Sequence, residues 1–467
     1  MKLSRRDFLK LGSAAAILSA LSLSSNLNAE TVSKLLSSID WNRAQDAIAQ
    51  AVKDGDIGIV WFEAQDCAGN TTSVIQATNP SLLEVLLGAT PLIGPGTIRL
   101  IFQETIMPEW GTAHVESSAD VNQPQYLYSA YAKAYPPGTA IEILEDVAKG
   151  KYGGYVLVLE GSFPQEAMIP GTNIPQGSGG YYCLIGPYTC TEWLKKLLAN
   201  AVAVVSVGNC ASYGGLVADK VLQPPPYFKY ATWSASPTGA IGFFDDPIRG
   251  IKGAVHQDYF MPEAQPFRAY LDQDQVPDFK TSKPAIAVPG CPANGNGIMR
   301  TLGVLALVAL GVLPPDILRR SVFLDSYARP LFIFGNTVHD QCPRAGFYAA
   351  GSFRSYPGET NAKCLFEVGC KGPISNCPWN KYGWVAGVGG PTRTGGVCIG
   401  CTMPGFTDAT EPFWVPLNAP RLPPISTTAA ALGAAAVLGA AAAYLADRKV
   451  KGDAKKAMQQ VESAKGK

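Results

Sequence analysis

Charge is scarce in this sequence. Asp, Glu, Lys and Arg make up 16% of its 467 residues, and they nearly cancel to a formal net charge of +1. Such a chain offers no field for a polyanion, which excludes nucleic acid as the expected partner. It also lacks any C-x-x-C-H, so covalent haem of the c type is excluded, and it lacks the paired C-x-x-C motifs of a zinc ribbon. No internal repeat is visible, and the only biased tract is an Ala-rich tail. What is plentiful is Gly (48) and Pro (36). Together with the length, this points to a compact, loop-rich protein with a sizeable core and more than one domain.

Cysteine is present in an odd count of eleven, and six of these crowd late in the chain. Between His339 and Cys401 lie Cys342, Cys364, Cys370, Cys377 and Cys398, separated by Gly, Pro and Asn with little apolar periodicity. A hydrophobic core cannot hold such a stretch; cross-links or inorganic centres must organise it. An odd count clustered in a large protein fits a disulfide framework poorly, which favours a metal or iron–sulfur role.

Ser4-Arg5-Arg6-Asp7-Phe8-Leu9-Lys10 followed by an apolar run to Leu23 reads as a twin-arginine export segment over residues 1–29. That route carries folded cargo, which suits a protein whose cofactor is inserted before export. Ala44 to Val52 then reads as a short helix. Apolar runs at Ile57–Phe62, Thr97–Phe102, Tyr155–Glu160, Ala201–Val207 and Ala285–Val288 read as buried strands, with helices predicted at Ile141–Val147, Glu192–Asn200 and Gly297–Leu310. The alternation predicts an α/β fold with a doubly wound parallel sheet; a flavodoxin-like domain is expected over residues 30–314. Cys67, Cys210 and Cys291 each stand just past a buried strand. The carboxyl ends of parallel strands share one edge, so three thiols can converge there. The glycines and prolines around them let backbone N–H groups approach inorganic sulfide.

Cys183 and Cys190 lie in a Gly- and Tyr-rich loop and read as buried thiols or as one disulfide. Val221 to Lys283 reads as an insertion or covering loop. The α/β pattern stops near Pro314, and residues 315–424 read as a loop-rich cluster domain. Ile425 to Ala446 is an uncharged run of about 22 residues, enough at about 1.5 Å per residue to cross a hydrocarbon core of about 30 Å. A soluble Ala-rich helix is the alternative. Arg448, Lys449 and Lys451 follow, which places the tail at 447–467 on the cytoplasmic side and the body outside.

From about Ile57 to Phe406 the chain resembles the small, electron-transferring subunit of nickel–iron hydrogenases. The resemblance rests on the strand motif ending at Cys67 and on VLEGSFP around Glu160, GNCASYGG around Cys210, SPTGA at Ser236, PGCP around Cys291, HDQCPR from His339 and CIGCTMPGF from Cys398. The export segment and tail anchor resemble its membrane-bound branch. The resemblance implies three clusters: a proximal 4Fe–4S on Cys67, Cys210 and Cys291; a distal 4Fe–4S on His339, Cys342, Cys364 and Cys370; and a medial 3Fe–4S on Cys377, Cys398 and Cys401. Pro391 stands where a fourth medial cysteine would be. An imidazole in place of a thiolate makes the distal cluster less negative and raises its potential. The chain departs from the family's C-x-G-C at Asn70, so the fourth proximal ligand is expected to be the Asn70 amide oxygen, water or a carboxylate such as Asp66; the alternatives are a 3Fe–4S cluster or a defective one beside a turn residue. Gly69 and Gly215 replace the extra cysteines of the oxygen-tolerant type. The implied partners are a nickel–iron large subunit, the bilayer, and a membrane cytochrome b or another quinone- or sulfur-linked acceptor. Glu160 and Asp66 are expected at the subunit interface. The competing reading is an exported binding protein, stabilised by disulfides and tethered by its tail.

Overall fold

The structure, a computed structural model, describes residues 57–417 apart from 83–97, 108–139, 166–181, 220–235, 258–259, 273–280, 319–322 and single positions 79, 187, 237, 312 and 314. The export segment, the helix expected at 44–52 and the anchor expected at 425–446 lie outside the described residues. Among the described residues, no helix is long and apolar enough to cross a membrane.

Seven strands are described: β1 (Ile57–Glu63), β2 (Ile98–Gln103), β3 (Tyr155–Glu160), β4 (Leu184–Ile185), β5 (Tyr188–Thr189), β6 (Ala201–Val207) and β7 (Ala285–Val288). Five of them form a sheet in the order β2-β1-β3-β6-β7, with every pairing parallel. With the β4–β5 hairpin set aside, this is the flavodoxin order 2-1-3-4-5. Every residue of β1 and β3 is buried. Continuous apolar runs of this kind belong to strands covered on both faces, which parallel crossovers require.

The helices are α1 (Gly69–Ile75), α2 (Ala140–Ala148), α3 (Cys190–Leu198), α4 (Gly208–Tyr213), α5 (Gln265–Asp272), α6 (Gly295–Ala309), α7 (Leu331–Phe334), α8 (Ala345–Ala349) and α9 (Trp379–Tyr382). Helix α3 starts two residues earlier than its apolar pattern suggests because Thr189 caps it. The Thr189 side chain accepts from Glu192 N–H, and the Glu192 carboxylate accepts from Thr189 N–H at 2.8 Å. Helix α6 is capped by Asn294, whose side chain accepts from Asn296 and Gly297 N–H. Cys183 and Cys190 form a disulfide that ties the β4–β5 hairpin to the start of α3.

Two expectations change in the folded chain. The stretch read as a covering loop contributes Phe243, Phe260, Phe267 and Tyr270 to the main core, all fully buried, and it folds in part as α5. The aromatics of this stretch that the structure describes therefore serve as packing. The regular α/β pattern does end with α6, but the same core continues through Ile317, Leu318, Phe332, Phe334 and Trp379. The cysteine-rich segment adds only a small apolar group of its own: Val338, Leu365, Val368 and Val397 around Cys370 and Cys398.

Candidate functional site

The parallel sheet delivers Cys67, Cys210 and Cys291 to one edge. Cys67 follows β1, Cys210 sits in α4 directly after β6, and Cys291 follows β7. Burial pushes the Cys210 thiol up to about 12, and neighbouring Cys291 and Cys67 push the same way. Cys291 is raised by burial and by Cys67. The three thiols therefore share one small space. The backbone of Val217 and Leu216 comes close enough to the Cys210 sulfur to offset part of this rise. Gly215 allows this approach: its φ is +53°, and a Cβ there would lie 2.7 Å from Cys210 Sγ. A Cβ on Gly69 would likewise lie 3.0 Å from Cys67 Sγ. Cys67 and Cys291 are exposed at the surface, whereas three of the six later thiols, Cys364, Cys370 and Cys398, are buried and none is exposed.

Beneath this edge lies a network of carboxylates. Glu160, fully buried at the end of β3, accepts from Trp61 Nε1 (3.0 Å), Thr71 Oγ1 (2.7 Å) and the Asn70 backbone N–H (2.8 Å). Glu63 accepts from Gln103 Nε2 at 2.5 Å and also lies 2.7 Å from Thr71 Oγ1, so the two carboxylates share the one proton of that hydroxyl. Burial, then the Glu63 charge, holds the Glu104 carboxyl well above the usual carboxylate range. Glu63, Gln103 and Glu104 were not singled out from the sequence. The available signal was that β1, β2 and β3 are apolar runs that all end in polar residues, at the same edge.

Asn70, the candidate fourth ligand by position, is engaged elsewhere in this structure. Its amide oxygen accepts from Ala293 N–H at 2.7 Å, and its amide nitrogen donates to Glu160 Oε1 at 3.1 Å. Asn70 is buried, and it braces the loop that carries Cys291 against Glu160. Asp66 is exposed beside Cys67; one carboxylate oxygen accepts from Ala68 N–H at 2.9 Å.

Cys377, Cys398 and Cys401 form a second group. Burial pushes Cys398 up to about 12 and Cys401 up to about 11, and it raises Cys377 well above the ordinary thiol range, helped by Cys401 and Cys398. The backbone of Trp379 and Asn380 offsets part of the rise at Cys377, that of Gly400 part of the rise at Cys398, and that of Cys291 part of the rise at Cys401. This last contact joins the second group to the first. Asn209, next to Cys210, strengthens the joint by donating to the carbonyls of Cys401 and Met403, both at 2.8 Å. Pro391 is exposed, one residue before the buried Thr392.

His339, Cys342, Cys364 and Cys370 line a single pocket with Arg344, Phe366 and Thr392. Burial holds the His339 imidazole below its ordinary value, against the pull of Asp340. The ring is therefore neutral near pH 7, the form that binds a metal. It packs edge-on against Tyr348 at 4.5 Å. Burial pushes Cys370 up to about 12, and the next cause is Cys398 of the second group. The three groups thus form a contiguous series.

Ten of the residues singled out for ligation fall into these sets, two of three sulfurs and one of three sulfurs with an imidazole. Buried thiols held this high ionise only when a cation compensates the charge. Soft thiolate sets without carboxylate suit iron–sulfur chemistry, and a closed four-ligand zinc site is not available to either sulfur trio. The glycines at Cys67 and Cys210 leave room for a bulky inorganic group. The residues present therefore fit iron–sulfur clusters.

Comparison with known proteins agrees with this geometry. Residues 67–305, just over half of the chain, match the family model described as NADH ubiquinone oxidoreductase, 20 Kd subunit. Residues 334–414 match the model of the C-terminal part of NiFe/NiFeSe hydrogenase small subunits. The small subunit of F420 non-reducing hydrogenase I from Methanosarcina mazei is 29% identical over 377 residues, covering 79% of this chain and 78% of that protein. The small chain of the quinone-reactive Ni/Fe-hydrogenase of Wolinella succinogenes is 27% identical, covering 77% and 74%. Among solved structures, the actinobacterial-type NiFe-hydrogenase from Ralstonia eutropha H16 superposes with a TM-score of 0.54 at 28% identity, covering 85% of this chain and 91% of that one. The chain belongs to the family of the 20 kDa NADH ubiquinone oxidoreductase subunit, and within it is the electron-transferring small subunit of a nickel–iron hydrogenase heterodimer.

Proposed function

We propose that this chain is the electron relay of a membrane-bound uptake hydrogenase. Cys67, Cys210 and Cys291 would hold a proximal 4Fe–4S cluster, Cys377, Cys398 and Cys401 a medial 3Fe–4S cluster, and His339, Cys342, Cys364 and Cys370 a distal 4Fe–4S cluster. The fourth proximal position would be filled by a donor other than cysteine. Because the Asn70 oxygen is taken by Ala293 N–H, exposed Asp66 or a water fits that place better. When bound, the clusters would carry, singly, the two electrons released when H2 is split to two protons in the large subunit. The chain supplies ligands, N–H groups aimed at sulfur, and burial that keeps water from the inner sites. The surface exposure of Cys67 and Cys291 suits a proximal site covered by the large subunit.

The observation that carries this reading is the continuity of the three ligand sets: Asn209, beside Cys210, donates to the Cys401 carbonyl at 2.8 Å, and the N–H of Lys371, beside Cys370, donates to the Cys398 carbonyl at 2.7 Å. Electrons would leave at the His339 end for a membrane cytochrome b or another quinone- or sulfur-linked acceptor; the quinone-reactive relative supports a membrane acceptor. In this proposal the twin-arginine segment exports the folded body, the run at 425–446 anchors it in the bilayer, and the C-terminus stays cytoplasmic. The tethered disulfide-protein reading is disfavoured because nine of the eleven cysteines are unpaired.

Metal analysis of the complex purified anaerobically from native membranes tests the proposal. About eleven irons per chain are expected, with nickel in the co-purifying large subunit. About ten would make the proximal cluster one iron short. Iron near zero without nickel would overturn the relay.

A further inference from the structure

Thr392 belongs to none of the ligand sets, yet it is held from every side. Its backbone N–H donates to Asn380 Oδ1 at 3.0 Å, and its carbonyl accepts from Arg344 Nε at 2.6 Å. Its hydroxyl accepts from Asn380 Nδ2 at 2.6 Å and lies 3.1 Å from Cys342 Sγ. Thr392 and Asn380 are each only 1% exposed, so water does not compete for these bonds. The direction of the last contact follows from proton bookkeeping. The Asn380 amide already supplies the proton between itself and Thr392, so the hydroxyl proton is free. A cysteine that ligates iron is a thiolate and has no proton to give. Thr392 Oγ1 must therefore donate to the Cys342 sulfur.

The same asparagine faces the neighbouring set. It stands in α9, three residues after Cys377. One residue pair thus spans the gap between medial and distal thiolates: Cys377 to Asn380, Asn380 to Thr392, Thr392 to Cys342.

We propose that Thr392, oriented by Asn380, is a positioning residue that tunes the distal site by donating a hydrogen bond to the Cys342 thiolate. A donor at a ligating sulfur withdraws negative charge from it and favours the reduced, more negative cluster. The bond therefore raises the distal potential relative to the same ligands without it. This rests on the reading that His339, Cys342, Cys364 and Cys370 hold a cluster.

The test is an EPR-monitored redox titration of the intact heterodimer carrying Thr392→Val or Thr392→Ser. Valine keeps the shape and removes the donor; serine keeps the donor. The expected result is a more negative midpoint potential for the distal cluster in the valine variant, unmoved proximal and medial potentials, and recovery in the serine variant. A valine variant with all clusters present and an unshifted distal potential overturns the inference. If the valine variant does not load the distal cluster, the unaltered protein decides. The Arg344 N–H also donates to Cys342 Sγ, at 3.4 Å, so after exchange into D2O pulsed EPR of the reduced distal cluster should show two coupled exchangeable deuterons at this sulfur, and a single one overturns the inference. An unaltered protein with no distal signal at all would instead refute the cluster assignment, so the two failures are distinguishable.

Discussion

Asn70 stands three residues beyond Cys67, where the family pattern carries a cysteine, and its amide is divided between a backbone donor and a buried acid. The oxygen accepts from Ala293 N–H and the nitrogen donates to Glu160. Removing it leaves one buried N–H without a partner and Glu160 with one bond fewer. An unsatisfied buried group costs about 1–3 kcal/mol. Asn70→Ala is expected to lower the stability of the heterodimer by that amount in thermal unfolding, with iron content and the proximal EPR signal unchanged. Loss of iron from the proximal site would make Asn70 a ligand after all. Its position was legible from the spacing after Cys67. Its partners were not, because Ala293 lies 223 residues away in the chain.

Among the elements, the sheet edge was the most legible. Apolar runs, interrupted by Arg99 in β2 and Ser206 in β6, predicted all five parallel strands, and the strand-end cysteines followed from them. The start of α3 was less so, since capping by Thr189 extends the helix beyond its apolar face. Nor did the spacing decide whether Cys183 and Cys190 pair. In the fold, the Cys190 N–H donates to the Cys183 carbonyl at 3.0 Å, which brings the two residues together as a disulfide. The bridge closes a short loop, with a sequence separation of 7, and loops of that size gain about 2 kcal/mol from chain entropy. The double variant Cys183→Ser/Cys190→Ser should therefore unfold more easily by about 2 kcal/mol while its iron signals stay as they were. Loss of a cluster signal would show that these cysteines do more than fasten the hairpin.

Across the whole molecule, one buried arginine joins the sheet to the loop-rich segment. Arg329 is 2% exposed. Its guanidinium pairs with Asp325 at 2.7 Å and donates to the Thr402 carbonyl at 3.0 Å and to Asn376 Oδ1 at 3.2 Å. Asn376 and Thr402 flank Cys377 and Cys401. The adjoining Ala328 carbonyl accepts from Ala287 N–H of β7. Breaking a buried ion pair by deleting one partner costs about 3–5 kcal/mol, because the other charge is left behind. Arg329→Leu is expected to destabilise the protein by about that amount and to diminish the medial cluster signal first. A stable variant with a full medial signal would show that the segment is held by its clusters alone.

Properties that depend on neighbours along the chain could be read without the fold: strand-forming runs, the glycines beside Cys67 and Cys210, the spacing of the late cysteines, and the placement of three thiols at strand ends. These are set by backbone periodicity and local sterics. The tertiary structure alone decided the rest: the burial of Phe243, Phe260, Phe267 and Tyr270 before β7, the hydrogen bonds of Asn209 to Cys401 and of Lys371 to Cys398, and the contact of Thr392 with Cys342. Each of these joins segments through burial or a directional hydrogen bond, and such bonds are chosen by packing geometry, which no local pattern encodes.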